Sequence, residues 1–257
     1  MNFFYERIAD KRDYHFFRQK NKPFTSPHFH SAQEFVLVKK GTMYATIGGK
    51  NYEIGEGHGC FIPRFNPHSY SYQDEQTEVY TFVGDYACFE PAFRSLGGVP
   101  PTKFTFDDYP LLENAANFYI SQTDERLKKT AFIGMVSLLL AKIAAKNVLL
   151  PTQKDSATDK ICAALEYVEN NSEKELSLPI LAEKFGYSPQ HFSRLFHEYM
   201  PVHLNEYINS VRIARARRKI EEGVPVSDAA FSSGFSSLET FYRVYKKLFG
   251  KSPNAKK

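Results

Sequence analysis

The sequence predicts an α+β protein of two domains: an N-terminal β-barrel with two following helices, and a C-terminal all-α domain. Three observations support this. The chain has 257 residues, which favours more than one domain. Short strand-like runs separated by glycine and proline occupy the N-terminal part, and a helix-turn-helix pattern occurs twice in the last third. We expect a domain at 1–148, a linker at 149–158 and a helical domain at 159–257.

The predicted barrel covers about residues 1–106. Its strands are predicted from short apolar or alternating runs at 35–39, 42–47, 52–54, 59–62, 69–72 and 79–83. The Gly48-Gly49 pair between two such runs is a hairpin signal. Tyr70 and Tyr72 share one strand face and Tyr80 and Phe82 share another, and we expect one of these faces to line the interior.

Two helices are predicted after the barrel, at 109–121 and 124–147, within the segment at about 107–148. The longer one carries apolar residues at helical spacing: Phe132, Met135, Val136, Leu139, Leu140 and Ile143. This stripe either packs on the barrel or forms a subunit contact. The polar segment after it, with one proline, is the predicted linker.

The helix-turn-helix pattern consists of Ala-x-x-x-Gly, an aromatic residue and serine, followed by Phe-x-Arg. It begins at Ala182 and recurs at Ala230, which places Arg194 and Arg243 on the second helix of each copy. In the first copy, Ser188 is the predicted N-cap of that helix. In the second copy, Ser227 is the predicted cap of the first helix. In such units the second helix enters the major groove of DNA.

A basic helix is predicted between the two copies, at about 203–222. A helix of about 18 residues is about 27 Å long and could set two recognition helices about one DNA turn apart, at roughly 34 Å. A solenoid is a poor alternative, because solenoids need at least three repeats. A helix-turn-helix can also be purely structural, but two copies with matched arginines favour DNA binding.

Residues 159–257 resemble the C-terminal DNA-binding domain of AraC-type transcriptional regulators. The matching stretches are LAEKFGYSPQHFSRLF, NEYINSVRIARARR and AAFSSGFSSLETFYRVYKKLFGKSP. The resemblance implies a seven-helix domain that binds two adjacent major-groove segments of double-stranded promoter DNA. It implies base-reading positions at Gln190, Ser193, Arg194, Leu238, Glu239, Tyr242 and Arg243. We expect Lys246 to contact phosphate. Lys219 and Pro201 depart from the family, which usually has leucine and glycine there.

A second motif lies in the barrel, where His28-x-His30 is followed by Glu34 and, further on, by His68. With the glycine and proline residues around them, these positions resemble the two motifs of the cupin superfamily. The resemblance implies that the four side chains are ligands of a divalent metal, and imidazole and carboxylate groups suit a transition metal. Phe65 departs from this pattern, because cupins prefer glycine there.

AraC-type regulators often keep a similar pattern in a sensor domain that holds a small effector, commonly a sugar. The resemblance therefore gives a second interpretation. The candidate effector-binding residues are His28, His30, Glu34, His68, Tyr70, Tyr80 and Phe82. Aromatic walls with a few polar groups suit a sugar or an aromatic effector. In a third interpretation the polar side chains bond to one another and the aromatic residues are plain core.

Charge and cysteine content set further limits. The net charge is +4, and residues 243–257 contain basic side chains but no acidic ones, which suits phosphate contacts. The three cysteines, Cys60, Cys88 and Cys162, lack paired spacing and are expected to be buried thiols in a reducing cytosol. Residues 1–22 show no signal peptide and no apolar run is long enough to span a bilayer, so we expect a cytoplasmic protein without a membrane partner.

We therefore predict a sequence-specific DNA-binding regulator that responds to a small-molecule effector, in first place a carbohydrate. By family resemblance it is a homodimer joined through the helices after the barrel, and RNA polymerase is a further candidate partner of an activator. No catalytic residue and no cofactor is assigned, apart from the divalent metal considered above. The alternatives are a metal-dependent cupin enzyme fused to a DNA-binding domain, and a constitutive DNA-binding protein with an empty barrel.

Overall fold

The computed structural model describes residues 4–5, 14–20, 25, 27–72, 76–151, 156–200 and 202–253. Their contacts divide them into two compact units. The β-rich unit contains residues 14–20, 25, 32–72 and 76–151. The helical unit contains residues 156–200 and 202–253 together with 4–5 and 27–31. Three predicted features lie outside the described residues: linker positions 152–155, Pro201, and positions 254–257 of the basic tail.

Antiparallel strands build the β-rich unit. The strands of both units are, in chain order, β1 (Phe4–Tyr5), β2 (Tyr14–Lys20), β3 (His28–Phe29), β4 (Gln33–Lys40), β5 (Thr42–Ile47), β6 (Lys50–Gly55), β7 (His58–Ile62), β8 (His68–Tyr72), β9 (Glu78–Gly84) and β10 (Lys103–Thr105). Strands β1 and β3 belong to the helical unit, and the others belong to the β-rich unit. In this unit β8, β5 and β6 pair in that order. A second sheet has the order β10-β7-β4-β9-β2. The predicted strands are therefore present, and β2 and β10 are additions; the charged, partly exposed residues of β2 obscured it.

The second sheet is covered on both faces, which explains why β4 reads as an apolar run rather than an alternation. Its inner face packs against the first sheet through a cluster of aliphatic residues that includes Val36, Met43 and Ile54. Its outer face carries aromatic residues such as Phe35 that pack on three helices. These are α1 (Tyr86–Leu96), α2 (Tyr109–Ser121) and α3 (Glu125–Lys146).

The helices of this unit follow their local signals. Helix α2 has the predicted bounds, and α3 begins after Asp124, whose carboxylate accepts hydrogen bonds from two backbone N–H groups of the first turn. Helix α1 was not predicted, because it contains Pro91 and its N-cap, Asp85, makes no capping bond. The apolar stripe of α3 is buried against the outer face of the sheet, so of the two alternatives for this stripe, packing on the barrel is the one observed.

The helical unit contains α4 (Ser156–Asn170), α5 (Leu178–Lys184), α6 (Pro189–Tyr199), α7 (Leu204–Glu221), α8 (Val226–Phe231) and α9 (Leu238–Phe249). Helix α4 begins inside the predicted linker. The resemblance implies seven helices, and six lie within residues 156–253 as described. Strands β1 and β3 pair in parallel in this unit. The Phe29 ring of β3 stacks on Tyr207 of α7, with ring centroids 5.8 Å apart.

The architecture confirms the predicted α+β class, with two antiparallel sheets of cupin-like arrangement preceding a helix-turn-helix region. Cys60, Cys88 and Cys162 are buried free thiols, as predicted. None of the described helices is long and apolar enough to cross a membrane.

Candidate nucleic-acid interface and buried polar cluster

The first helix-turn-helix unit consists of α5 and α6. Gly186 adopts a φ of 76° in the turn, where a left-handed backbone favours glycine. Ser188 caps α6, because its hydroxyl accepts a hydrogen bond from the His191 N–H at 3.3 Å. Phe192 and Phe196 are buried on the inner side of the helix. The capped α6 therefore presents its other side to solvent.

The second unit repeats this geometry with α8 and α9. Ser237 caps α9 by accepting a bond from the Thr240 N–H at 3.2 Å, and Gly234 makes the turn with a φ of 101°. Phe241 is fully buried. The predicted cap of α8 is wrong: Pro225 occupies the N-cap and Ser227 lies inside the helix. Proline tolerates this place because the first helical N–H groups have no intrahelical partner.

The contacts of Lys219 explain how a lysine is accommodated where the family usually has leucine. Its ammonium donates to the Ser232 carbonyl at 2.9 Å and to the Ser232 hydroxyl at 2.6 Å. Ser232 is the C-cap of α8, where carbonyl groups lack intrahelical donors. The lysine therefore binds the end of α8 in place of an apolar contact.

The predicted DNA-contacting residues lie mostly on the solvent side of α6 and α9. Gln190, Ser193 and Arg194 are exposed on α6. On α9 the exposed members of the set are Glu239, Arg243 and Lys246. Leu238 and Tyr242 are half-buried and pack on the core of the second unit. The Arg194 side chain is 69% exposed and approaches Glu198 of its own helix only to 3.9 Å.

A polar cluster is buried in the β-rich unit around Glu34 of β4. The Tyr70 hydroxyl donates to one Glu34 carboxylate oxygen at 3.0 Å, and His68 Nε2 lies 3.3 Å from the other. All three residues are buried. A buried carboxylate needs such partners, because taking an ion out of water without them has a cost on the order of several kcal/mol.

The tautomer of His68 follows from its second contact. His68 Nδ1 lies 2.8 Å from the Asn66 carbonyl oxygen, which can only accept a hydrogen bond, so Nδ1 carries the proton. Nε2 is then the ring nitrogen that faces Glu34 and the rest of the cluster. A backbone carbonyl bound to the distal imidazole nitrogen is the arrangement usual for metal-ligating histidines.

The structure brings together all four residues of the cupin-like motif. Ligand atoms of His28, His30, Glu34 and His68 lie within 4.8 Å of one another, and the four side chains are buried. The imidazole rings of His28 and His30 are 5.8 Å apart. Three imidazoles and one carboxylate at this separation fit a divalent transition metal in geometry and in chemistry.

Two further side chains belong to this cluster and were not among the predicted site residues. Burial, and after it the negative charge of Glu34, raises the pKa of the Cys60 thiol and of the Tyr72 hydroxyl. The same two causes raise the pKa of Tyr70. Tyr72 could have been found from its spacing of two from Tyr70. For Cys60 one indication of an inward-facing side chain was present in the sequence: it precedes Ile62 by two residues, which places both on the same face of a strand.

Tyr80 and Phe82 are not brought together with the other effector candidates. Both pack on the outer face of the second sheet against the helices. The Tyr80 hydroxyl donates to Glu113 of α2 at 2.6 Å, and the Phe82 ring lies 4.9 Å from that of Phe16. The interior is instead lined by the face that carries Tyr70.

Phe65, which departs from the cupin pattern, lies in the loop after β7. It keeps the left-handed backbone that favours glycine, with a φ of 62°, and its side chain is 1% exposed. A side chain in this conformation costs roughly 1–2 kcal/mol, which burial of a phenylalanine ring can offset.

Two family models match the chain. Residues 13–103 match an AraC-like ligand binding domain, and residues 181–256 match a helix-turn-helix domain. The first match covers the strands that carry the polar cluster, and the second covers α6 to α9. Together they define the class: a transcriptional regulator that combines a ligand-binding type of domain with a helix-turn-helix DNA-binding domain.

Relatives agree with this class. The chain is 25% identical to the uncharacterized HTH-type transcriptional regulator YbfI of Bacillus subtilis, over 81% of this chain and 78% of the relative. It is 23% identical to the HTH-type transcriptional activator RhaS of Escherichia coli, over 88% and 85% of the two chains. The fold is shared with the apo form of a ToxT variant of Vibrio cholerae, with a TM-score of 0.65 at 17% identity over 95% and 97% of the two chains. The chain belongs to the AraC family of transcriptional regulators.

Proposed function

We propose that the chain regulates transcription by placing α6 and α9 in two successive major-groove segments of promoter DNA. The observation that supports this most directly is the repeated geometry: each helix is capped by a serine and exposes an arginine beside polar residues. Base edges in the major groove are read by such side chains, and arginine pairs with guanine through two hydrogen bonds.

The test separates base reading from phosphate contact. Arg194→Ala and Arg243→Ala should each weaken binding to the cognate site by about 1–3 kcal/mol and relax the base preference in one half of it. Lys246→Ala should weaken all sequences alike and lower the salt dependence. Binding isotherms on duplexes with single base changes measure both effects. Arginine variants that keep full base discrimination would disprove the assignment.

We propose further that the buried polar cluster is the effector site, formed by His28, His30, Glu34, His68 and Tyr70. The sequence favours a carbohydrate, whose hydroxyl groups suit the carboxylate, the imidazoles and the aromatic side chain. Tyr80 and Phe82 are left out, because they face the helices.

A divalent metal is the second candidate occupant. The four ligands within 4.8 Å and the orientation of His68, whose Nδ1 binds a backbone carbonyl while Nε2 faces the cluster, favour it. A metal there would supply a positive charge that holds the ligand side chains together. The enzyme alternative requires in addition a catalytic base, whereas the relatives of this chain are transcriptional regulators.

Thermal melts of the purified full chain distinguish the occupants. A ligand at a hundredfold excess over its dissociation constant adds about 2.7 kcal/mol of stability. A shift with one sugar, lost in Glu34→Gln, supports the carbohydrate. A rise in melting temperature with a divalent metal that chelator reverses supports the metal. His68→Gln should abolish this rise, whereas His58→Gln, the control at a histidine outside the cluster, should not. An unchanged melting temperature with every sugar and every metal counts against both occupants.

We propose that effector binding is coupled to DNA binding through Phe29. Phe29 lies between His28 and His30, and its ring stacks on Tyr207 of α7 within the helical unit. We propose that effector binding changes this packing. An effector shifts the equilibrium only if it binds one arrangement more tightly than the other. Equal operator affinity with and without effector would exclude the coupling.

We also propose a homodimer that uses α2 and α3. Their buried stripe is not available, but Phe118, Ile120 and Leu127 remain 59%, 55% and 56% exposed on these helices. Sedimentation of the wild type and of Phe118→Asp tests this, and an unchanged dimer would exclude Phe118 from the contact. A cytoplasmic location, contact with RNA polymerase and activation of transcription stay predictions.

A further inference from the structure

Arg212 of α7 binds the loop between α4 and α5. Its Nε donates to the Ser172 carbonyl at 2.8 Å, and a terminal nitrogen donates to the Lys174 carbonyl at 2.9 Å. Ser172 is fully buried. Because this loop precedes α5, the guanidinium joins the middle of α7 to the first helix-turn-helix unit.

The same carbonyl lies against the second unit. At Gly234, in the turn between α8 and α9, an added Cβ would lie 2.2 Å from the Ser172 carbonyl oxygen, 2.8 Å from Arg212 Nε and 3.0 Å from Glu173 Cα. Such distances allow no side chain. The turn of the second helix-turn-helix unit therefore contacts the α4–α5 loop, which precedes the first helix-turn-helix unit. The same turn also contacts Arg212, which binds this loop.

Two neighbours on α7 extend this contact. Arg215 donates to the Ser172 hydroxyl at 3.3 Å and forms an ion pair with Glu173. Lys219 binds Ser232, at the end of α8. Because residues 212, 215 and 219 are spaced by three and four, they lie on one face of the helix. This face contacts the α4–α5 loop at one end and the second unit at the other.

The chain between α7 and α8 does not by itself determine the orientation of the second unit. It consists of 222–225 and contains Gly223, at a φ of 92° and with nothing within 4 Å of an added Cβ. Apolar packing holds the second helix-turn-helix unit on α7, because Ile213 and Ala216 lie in the same buried core as Phe241. The contacts around Ser172 add the α4–α5 loop, and with it the first helix-turn-helix unit, to this arrangement.

We propose that Arg212 is a positioning residue for DNA recognition: it holds the two helix-turn-helix units in one relative orientation, so that the chain binds only half-sites at one spacing. The inference rests on the proposed function. It assigns to Arg212 a role that the exposed arginines of α6 and α9 do not have, since Arg212 is half-buried and its nitrogens are bound to backbone carbonyls.

Arginine suits this role because its planar guanidinium presents several donors in a fixed arrangement and can serve two carbonyls at once. Lysine could serve one carbonyl and glutamine could reach neither in the same way. Arg212→Lys should therefore retain part of the effect that Arg212→Gln loses.

The experiment measures dissociation constants of the full chain on three kinds of duplex. The first are duplexes that the wild-type protein selects from a random-sequence pool. The second are the same duplexes with one, two or three base pairs inserted between the half-sites. The third have one half-site scrambled. The control is Arg218→Gln, an exposed arginine of the same helix that pairs with Glu222.

We expect the wild type and the control to bind the selected spacing about tenfold or more tighter than altered spacings, because two linked sites act together only when the geometry permits. Arg212→Gln should lose most of this preference while its binding to scrambled, single half-site duplexes changes less than about twofold. Arg212→Lys should fall between them.

Three results would overturn the proposal. They are an unchanged spacing preference in Arg212→Gln, an equal loss on single half-sites, and the same effects in Arg218→Gln. If Arg212→Gln fails to fold, Arg212→Lys decides by the same comparison, and an unchanged spacing preference in it counts against the role. A wild-type protein that selects no sequence from the pool would instead disprove the proposed function itself.

Discussion

The two helix-turn-helix units share a sequence pattern but use its glycine differently. At Gly186 an added Cβ would meet nothing within 4 Å, so this glycine serves only its positive φ. At Gly234 the added Cβ would lie 2.2 Å from a backbone carbonyl oxygen of another segment. The same residue at the same place in a repeat therefore meets a local requirement in one unit and permits a tertiary contact in the other.

The largest expected effect tests this difference. Gly186→Ala should lower the free energy of unfolding by about 1–2 kcal/mol, the cost of a side chain in the left-handed region. Gly234→Ala adds a steric clash and should cost about 2–5 kcal/mol in total. Urea unfolding of the two variants measures the gap, and equal losses would contradict the close approach at Gly234.

The serine N-caps of α6 and α9 should stabilise the fold by similar amounts. Ser188→Ala and Ser237→Ala should each cost about 1 kcal/mol, because each hydroxyl accepts one backbone N–H of the first turn. Ser177→Ala is the matched control: Ser177 occupies the N-cap of α5 without a side-chain capping bond, and its removal should cost clearly less. Thermal or urea unfolding of all three variants decides. A loss in Ser177→Ala as large as in the other two would mean that the bonds do not matter.

Lys219 supports the second unit from α7. Lys219→Met should lower stability by about 1 kcal/mol, because the Ser232 carbonyl loses a charged donor. Lys246→Met, at an exposed position of α9, should change stability by less than about 0.5 kcal/mol. Urea unfolding compares them. Equal stability of the two variants would show that water replaces the lysine at no cost.

Local signals in the sequence were sufficient for the second helix of each helix-turn-helix unit, although the predicted cap of α8 was wrong. The bounds of α6 and α9 follow from the serine caps and the buried stripes, and α2 has the predicted bounds as well. The contacts of Gly234 and Arg212 could not be predicted, because their partner Ser172 lies far away in the sequence. Spacing within a helix reports which residues share a face but not which backbone segment packs on it.

The barrel shows the same limit. Alternation correctly placed Tyr70 with Tyr72 and Tyr80 with Phe82, but it could not tell which face is inside, since both faces of the second sheet are buried. The convergence of His28, His30, Glu34 and His68 was expected from a resemblance and is present. Their roles remain predictions, because proximity does not identify an occupant.

The smallest expected effect concerns a bridge that ties α9 to α7. Lys247 Nζ lies 2.6 Å from Glu206 at the start of α7, whereas Arg194 of α6 approaches Glu198 of its own helix. The hydrogen bond from Lys247 lowers the pKa of Glu206 below its usual value of 4.5. Both side chains are about half-exposed, so solvent screening limits the contribution to at most about 1 kcal/mol.

The sign of the pH dependence follows from the lowered pKa. As the pH falls, the unfolded chain takes up the proton first, so the bridge stabilises the fold above about pH 4.5 and is lost as the pH falls through the folded pKa. Glu206→Gln should therefore be less stable than the wild type near pH 7, by an amount that shrinks towards pH 3. Urea unfolding at both pH values measures the difference. A gap of unchanged size at low pH would contradict a role of the carboxylate charge, since glutamine keeps the oxygen that can accept the capping bond from the His203 N–H.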